Sequence, residues 1–339
     1  MRRVTPAGLA RGGALTAAGL AFPLLVTAPY LMTIAIFTVM YAALATSWNL
    51  LGGFSGYLSL GHAAFFGVGA YAEAIVFTHI GIGGGYRPFA VVPLIGLGVA
   101  VAAIPVAIVF LRVRGATFAI VTISLLFIVQ LLAFNLRSLT NGAQGMSMAI
   151  PPFPVATYER PFYYAMLAVF LGSVLTCWIV STGKLGLMLF AIRDDEDRAH
   201  GLGIRVTAAK VLAFCVSAGL FAMPGAIWAY YEGFIYPQFA VDPLVTIGAV
   251  LMAFLGGRGT IWGPMLGALI LVPAQQYLAY SQGASQLYLI GYSAVFLVIM
   301  LLMPRGIIPS LRDLAVSHNP FDRPAGDGES KPRTSGVAT

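Results

Sequence analysis

Two serines, a histidine and a carboxylate share the stretch Gly52–Glu73, GGFSGYLSLGHAAFFGVGAYAE, which is otherwise apolar and rich in glycine. Gly53-Phe54-Ser55-Gly56 has the G-x-S-G form of a turn that presents a serine nucleophile, and His62 is the nearest imidazole. Acyl transfer would need the two side chains within roughly 2.6–3.2 Å. On one continuous helix, seven residues at ~1.5 Å each separate them by about 10.5 Å. A membrane-embedded serine protease is therefore the weaker reading, and no catalytic residue is assigned. Helical phase offers another. At about 100° per residue from Ser55, Ser59 falls at roughly 40°, His62 at roughly −20° and Glu73 near 0°. Ser59, His62 and Glu73 then form one stripe that could line a translocation path or simply hold helices together. In an ion-coupled carrier, Glu73 would be the proton or ion site.

The second group of polar residues is Gly183–Lys210, GKLGLMLFAIRDDEDRAHGLGIRVTAAK. Leu187, Leu189, Phe190 and Ile192 begin it. Arg193, Asp194, Asp195, Glu196, Asp197 and Arg198 follow, and Gly201 and Gly203 should end a helix there. An apolar ridge with a charged end suits docking into a partner's groove. A loop shaped only by the positive-inside tendency does not call for four consecutive acids.

These residues sit in a chain whose charges are elsewhere missing. From Thr16 to Leu111 only Glu73 and Arg87 are acidic or basic. Over the whole chain 59% of residues are hydrophobic and 9% charged, against roughly 45–50% and about 25% in ordinary globular chains. That excludes a soluble domain. The apolar runs are continuous, not alternating, which favours helices over a barrel. The predicted fold is an all-α polytopic transmembrane bundle of eight to ten crossings, ten favoured. The spans are 14–28, 30–50, 57–79, 90–111, 116–135, 161–182, 210–231, 243–257, 261–281 and 286–303. With both ends cytoplasmic, 16 of the 19 Lys and Arg fall on the inner side; only Arg87, Arg137 and Arg160 fall outside. The net charge of +7 thus reflects orientation and points to no nucleic acid. Asn49, Gln130 and Asn135 are further polar groups that could face a path.

Arg2, Arg3 and Arg11 before an apolar run have the form of a signal peptide, but Pro29 and a second span follow at once, so 14–28 reads as a retained crossing. Residues 1–315 read as one membrane domain and 316–339, rich in Ser, Pro, Gly and Asp, as a disordered cytoplasmic tail. Cys177 and Cys215 lie in apolar runs without His or acidic neighbours, so neither a disulfide nor a metal site is expected. Gly183-Lys184 is followed by Leu185, and the chain has no G-x-x-x-x-G-K-[ST] phosphate loop. Any ATP hydrolysis belongs to another polypeptide, and no cofactor is expected on this one.

The chain strongly resembles the membrane permease subunits of bacterial ABC importers in the branched-chain amino acid uptake family. The resemblance rests on Trp48-Asn49-Leu50-Leu51-Gly52-Gly53, on the run from Leu58 to Tyr71, and on Thr117-Phe118-Ala119-Ile120-Val121-Thr122. It continues through Ala191-Ile192-Arg193-Asp194-Asp195-Glu196, Leu255-Gly256-Gly257-Arg258-Gly259-Thr260 with Gly263-Pro264, and Pro304-Arg305-Gly306-Ile307. It implies a multi-pass protein of the bacterial inner (plasma) membrane that moves branched-chain amino acids or a related small polar solute inward. Urea and aromatic acids are alternative solutes. It also implies a second homologous permease subunit, cytoplasmic ABC ATPase subunits and an extracytoplasmic solute-binding protein. Residues 183–210 would be the coupling loop, contacting the ATPase through Ile192, Arg193, Asp194, Asp195, Glu196, Ala199 and Gly203. Glu196, Ala199 and Gly203 fit an E-x-x-A-x-x-x-G version of the importer pattern, with Asp197 and Arg198 departing from its small pair.

Overall fold

The computed structural model describes residues 19–281 other than residue 27, together with 294, 297–298 and 306–310. Predicted span 286–303 and the tail 316–339 lie almost wholly outside the described residues, and 14–28 is described as helix only over 19–25. The described residues are mainly helical: α1 Pro29–Gly52, α2 His62–His79, α3 Arg87–Phe110, α4 Ala116–Asn135 and α5 Glu159–Thr182. Then come α6 Lys184–Asp194, α7 Glu196–Gly201, α8 Val206–Glu232, α9 Pro243–Gly256 and α10 Gly263–Ser281. Among the described residues six helical runs are long and apolar enough to cross a membrane: α1, α3, α4, α5, α8 and Pro237–Gly256. The fold is an all-α polytopic bundle.

Starts follow local chemistry. Proline stands in the first turn of α1, α3 and α9, where its missing N–H is no loss. Asp242 caps α9 by accepting from the Leu244 N–H at 2.8 Å. Helix α8 is the central post, packed against α1, α2 and α3. By contrast α3 and α4 turn Leu94, Leu97, Val101, Ile120, Phe127 and Leu131 outward, as lipid-facing helices do.

Connections gather at two ends. At one, Arg193 Nη1 donates to the Gly53 carbonyl at 2.9 Å and Asn49 Nδ2 to that of Thr260 at 2.9 Å. At the other, Met146–Ser147 pairs antiparallel with Phe234–Ile235, and the Gly85 N–H donates to the Tyr230 hydroxyl at 2.9 Å. Arg112, Arg114, Lys184, Arg193, Arg198, Arg205 and Arg258 lie at the first end, in its connections or in α6 and α7; Arg87, Arg137 and Arg160 are at the second. The charge asymmetry read from sequence is thus an asymmetry of the two ends of the bundle.

One expected helix is corrected. Residues 57–79 are not continuous: a turn over 53–55 leads into non-helical backbone over 56–61, and α2 begins only at His62. Gly56 adopts φ +79°, and a β-carbon at Gly61 would collide with the Thr122 carbonyl, so glycine permits both the turn and the close passage. Such backbone inside a bundle must find partners. The Leu60 N–H donates to Thr122 Oγ1 at 3.1 Å, the Ser59 carbonyl accepts from Trp48 Nε1 at 2.8 Å, and the Ala63 N–H donates to Thr246 Oγ1 at 2.6 Å. Replacing Thr246 by valine orphans the Ala63 amide at nearly constant shape. Thr246→Val should cost about 1–3 kcal/mol in unfolding free energy in detergent, and Thr246→Ser much less; equal stability of the two variants contradicts this role.

Candidate functional site

Helices α6 and α7 form an elbow between α5 and α8. Leu189 and Ile192 are buried on the inner side of α6, and Ala199 on that of α7. Asp195, extended at the corner, caps α7 by accepting from the Asp197 and Arg198 N–H groups at 3.1 and 3.0 Å. Gly203, at φ +80°, turns the chain toward α8.

The next residue along, Glu196, ties the elbow to the bundle. Lys210 Nζ, on α8 and only 2% exposed, donates to Glu196 Oε1 at 2.8 Å and to the Tyr57 hydroxyl oxygen at 2.8 Å. Tyr57 in turn donates its O–H to Glu196 Oε2 at 2.5 Å. Lys210 also reaches the Leu111 carbonyl at 3.3 Å and lies 4.5 Å from the centre of the Tyr57 ring. Arg114 covers the group from outside, its Nε 3.2 Å from Glu196 Oε1 and its Nη1 2.8 Å from Asp197 Oδ1. Burial alone would push the Glu196 carboxyl up. Hydrogen bonds from Lys210 and Tyr57 and the positive charges of Lys210 and Arg114 more than offset that, holding it below the ordinary value. The elbow, the non-helical segment before α2, the α3–α4 connection and α8 therefore meet at one carboxylate.

The proposed coupling residues divide accordingly. Ile192, Arg193, Asp195, Glu196 and Ala199 engage their own chain, whereas Asp194 is exposed. Beside it, Leu187 and Leu202 stand out, 68% and 80% exposed. Three of the four consecutive acids have intrachain partners: Asp195 as cap, Glu196 in the buried charge group and Asp197 on Arg114. In sequence Lys210 and Arg114 count only toward charge orientation, and Tyr57 carries no signal of a role at Glu196. Lys210, Tyr57 and Arg114 lie 14, 139 and 82 positions from Glu196, and no helical spacing connects them.

The structure brings Ser59 and His62 together but not in the way a common helical stripe requires, because Ser59 precedes α2. Ser59 Oγ is 2.7 Å from His62 Nδ1, and Ser217 Oγ on α8 is 2.9 Å from Nε2. Ser217 spends its proton on the Ser47 carbonyl at 2.7 Å. His62 Nε2 must then carry hydrogen, and Nδ1 accepts from Ser59. Phe65, Phe214 and Phe221 meet the ring edge-on at 5.8, 5.8 and 5.3 Å. All three polar residues are buried. Ser55, the candidate nucleophile, instead donates to the Leu51 carbonyl at 2.7 Å. Glu73 stands apart on α2, 1% exposed, and among the described residues its Oε2 has no hydrogen-bond partner. Asn49, Gln130 and Asn135 each donate to a backbone carbonyl, of Thr260, Val241 and Leu131.

Residues 30–304 match the family described as branched-chain amino acid transport system / permease component. The chain belongs to that family. The permease is 29% identical over 309 residues to the high-affinity branched-chain amino acid transport system permease protein LivM of Salmonella typhimurium (strain LT2), covering 82% of this chain and 70% of the relative. It is 28% identical over 308 residues to LivM of Escherichia coli (strain K12), with the same coverage. A shorter match, 29% over 110 residues, covers 31% of this chain and 32% of the autoinducer 2 import system permease protein LsrC of Salmonella paratyphi B. No solved structure matches. The permease is a multi-pass inner-membrane protein.

The Glu196 group makes a signed prediction. Lys210→Met leaves Glu196 with only Arg114 and Tyr57 as partners and should destabilise the permease by roughly 1.5–3 kcal/mol near neutral pH, the range for a lost hydrogen bond to a charged group, while Lys210→Met/Glu196→Gln recovers part of the loss. Because the folded-state pKa of Glu196 is depressed, its stabilisation is complete above the ordinary value of 4.5 and is lost as pH falls through the lower folded value. Thermal unfolding of wild type and Glu196→Gln should therefore converge in acid; a gap that widens there contradicts the assignment.

Proposed function

We propose that this chain is the membrane-spanning subunit of an ATP-driven importer that carries branched-chain amino acids, or a similar small polar solute, into the cell. The observation that carries the reading is the elbow. It is fastened to three parts of the bundle through Glu196 and presents Leu187, Asp194 and Leu202 away from it. A rigid segment with an apolar outward face at the basic end suits contact with a cytoplasmic ATPase, which would supply the hydrolysis. The end bearing the elbow is then cytoplasmic, and the opposite end receives solute from an extracytoplasmic binding protein. A second permease subunit completes the assembly. Branched-chain amino acid transport is the role named for the two LivM relatives; the autoinducer 2 permease is named for a different solute.

In this reading Ser59 and His62 brace the entry of α2 against α8, and Glu73 is, with Thr46 and Tyr71, a buried polar group left for a solute to meet. The unpartnered Glu73 oxygen also favours a second reading, an ion-coupled carrier. Uptake that survives collapse of the ion gradient and stops on ATP depletion excludes that carrier; the reverse excludes the importer.

The elbow's outward face is tested by Leu187→Asp with Leu202→Asp. The pair should abolish co-isolation of a nucleotidase and lower uptake of labelled leucine, isoleucine and valine at least about tenfold, the factor for 1.4 kcal/mol, without changing thermal unfolding. Undiminished uptake and co-isolation would exclude this face as the docking surface.

A further inference from the structure

At the end of the bundle opposite the elbow, a cleft of about 470 Å³ opens between the start of α3 and the start of α5, roofed by the connection before α5. Its walls are aromatic. Phe89 and Phe153 stack with centroids 6.5 Å apart at 15°, and Tyr86 lies 5.2 Å from Phe153. The charged group in the lining is Arg160. Among the described residues Arg160 has no hydrogen bond or ion pair, although Glu159 is its neighbour in sequence. That carboxylate is turned away to α1, where it accepts from Thr33 Oγ1 at 2.9 Å. Among the described residues no carboxylate lines the cleft. Below it, α3 continues outward as a stripe of Leu94, Leu97 and Val101, 57–67% exposed.

A cation without an anion, set in aromatic walls at the mouth of a membrane-spanning helix and continued by an exposed apolar stripe, matches one kind of molecule. It has an anionic head and long apolar tails. We propose that this cleft binds an anionic phospholipid, with its phosphodiester on Arg160, its glycerol region against Tyr86 and Phe153, and an acyl chain along the outer face of α3. Aromatic residues at this depth suit the head-to-tail boundary of the bilayer, and an arginine there favours anionic over zwitterionic heads. The site is independent of the solute, of the ATPase and of which end faces the cytoplasm.

The test is native mass spectrometry of the full chain with its co-isolating subunits, delipidated and titrated with phosphatidylglycerol or phosphatidylethanolamine. Wild type should retain phosphatidylglycerol about fivefold more tightly, the factor that one cation near an anionic head provides. Arg160→Gln should erase the preference, and Arg160→Lys should keep most of it. Arg137→Gln, at the same end but outside the cleft, should change nothing. Ala165→Trp fills the cleft without altering charge and should lower phosphatidylglycerol retention; it decides the matter if Arg160→Gln does not fold. Equal retention of the two lipids by wild type, or full phosphatidylglycerol binding by Ala165→Trp or Arg160→Gln, overturns the proposal.

Discussion

Lys210 holds its ammonium inside the bundle, where an unpaired charge could not stay, and Glu196 meets it from a segment that would otherwise be a surface loop. Removing such a charge from water is costly unless its partner and remaining hydrogen bonds are well placed. Tyr57 and the Leu111 carbonyl complete the set for Lys210, and Arg114 closes it from the solvent side. The elbow's position therefore depends on a polar contact whose members come from four separate parts of the chain. An apolar contact would hold the elbow without fixing its register; directional hydrogen bonds to both carboxylate oxygens fix it.

Tyr57 gives that contact reach. It belongs to the non-helical segment that climbs to α2, and the same segment is held farther in by Trp48, Thr122 and Thr246. Above it, His62 joins Ser59 to Ser217 of α8 through both ring nitrogens. Elbow, non-helical segment and central post thus form one continuous polar path through an apolar bundle. Neighbouring apolar faces can slide past one another at small cost, whereas these hydrogen bonds must break or move together. That is the physical basis for reading the elbow as the place where an external motor would act.

The membrane class, most helix positions and the two-ended charge asymmetry were legible in sequence because lipid demands long apolar runs and the termini of α4 coincide with the charge-poor segment 116–135. The break before α2 was not. A single helical phase cannot run through Gly56 and Gly61, which mark the departure from helix, and the side chains that satisfy the open backbone come from α1, α4 and α9. The four acids of the elbow were legible as a cluster in need of a cause. Their main cause is internal, since a cap and two charge contacts use three of them. A lysine at the head of an apolar helix counts toward orientation in any sequence reading; that Lys210 also turns inward depends on Tyr57, far along the chain.

Whether the elbow and the non-helical segment before α2 move as one unit is tested most directly by hydrogen exchange in lipid nanodiscs, comparing wild type with Glu196→Gln. A joined path requires the amides of residues 57–63 to lose protection together with those of 196–201, although the substitution lies only in the elbow. Faster exchange confined to 196–201, with 57–63 unchanged, would show that the carboxylate fastens the elbow alone and transmits nothing inward.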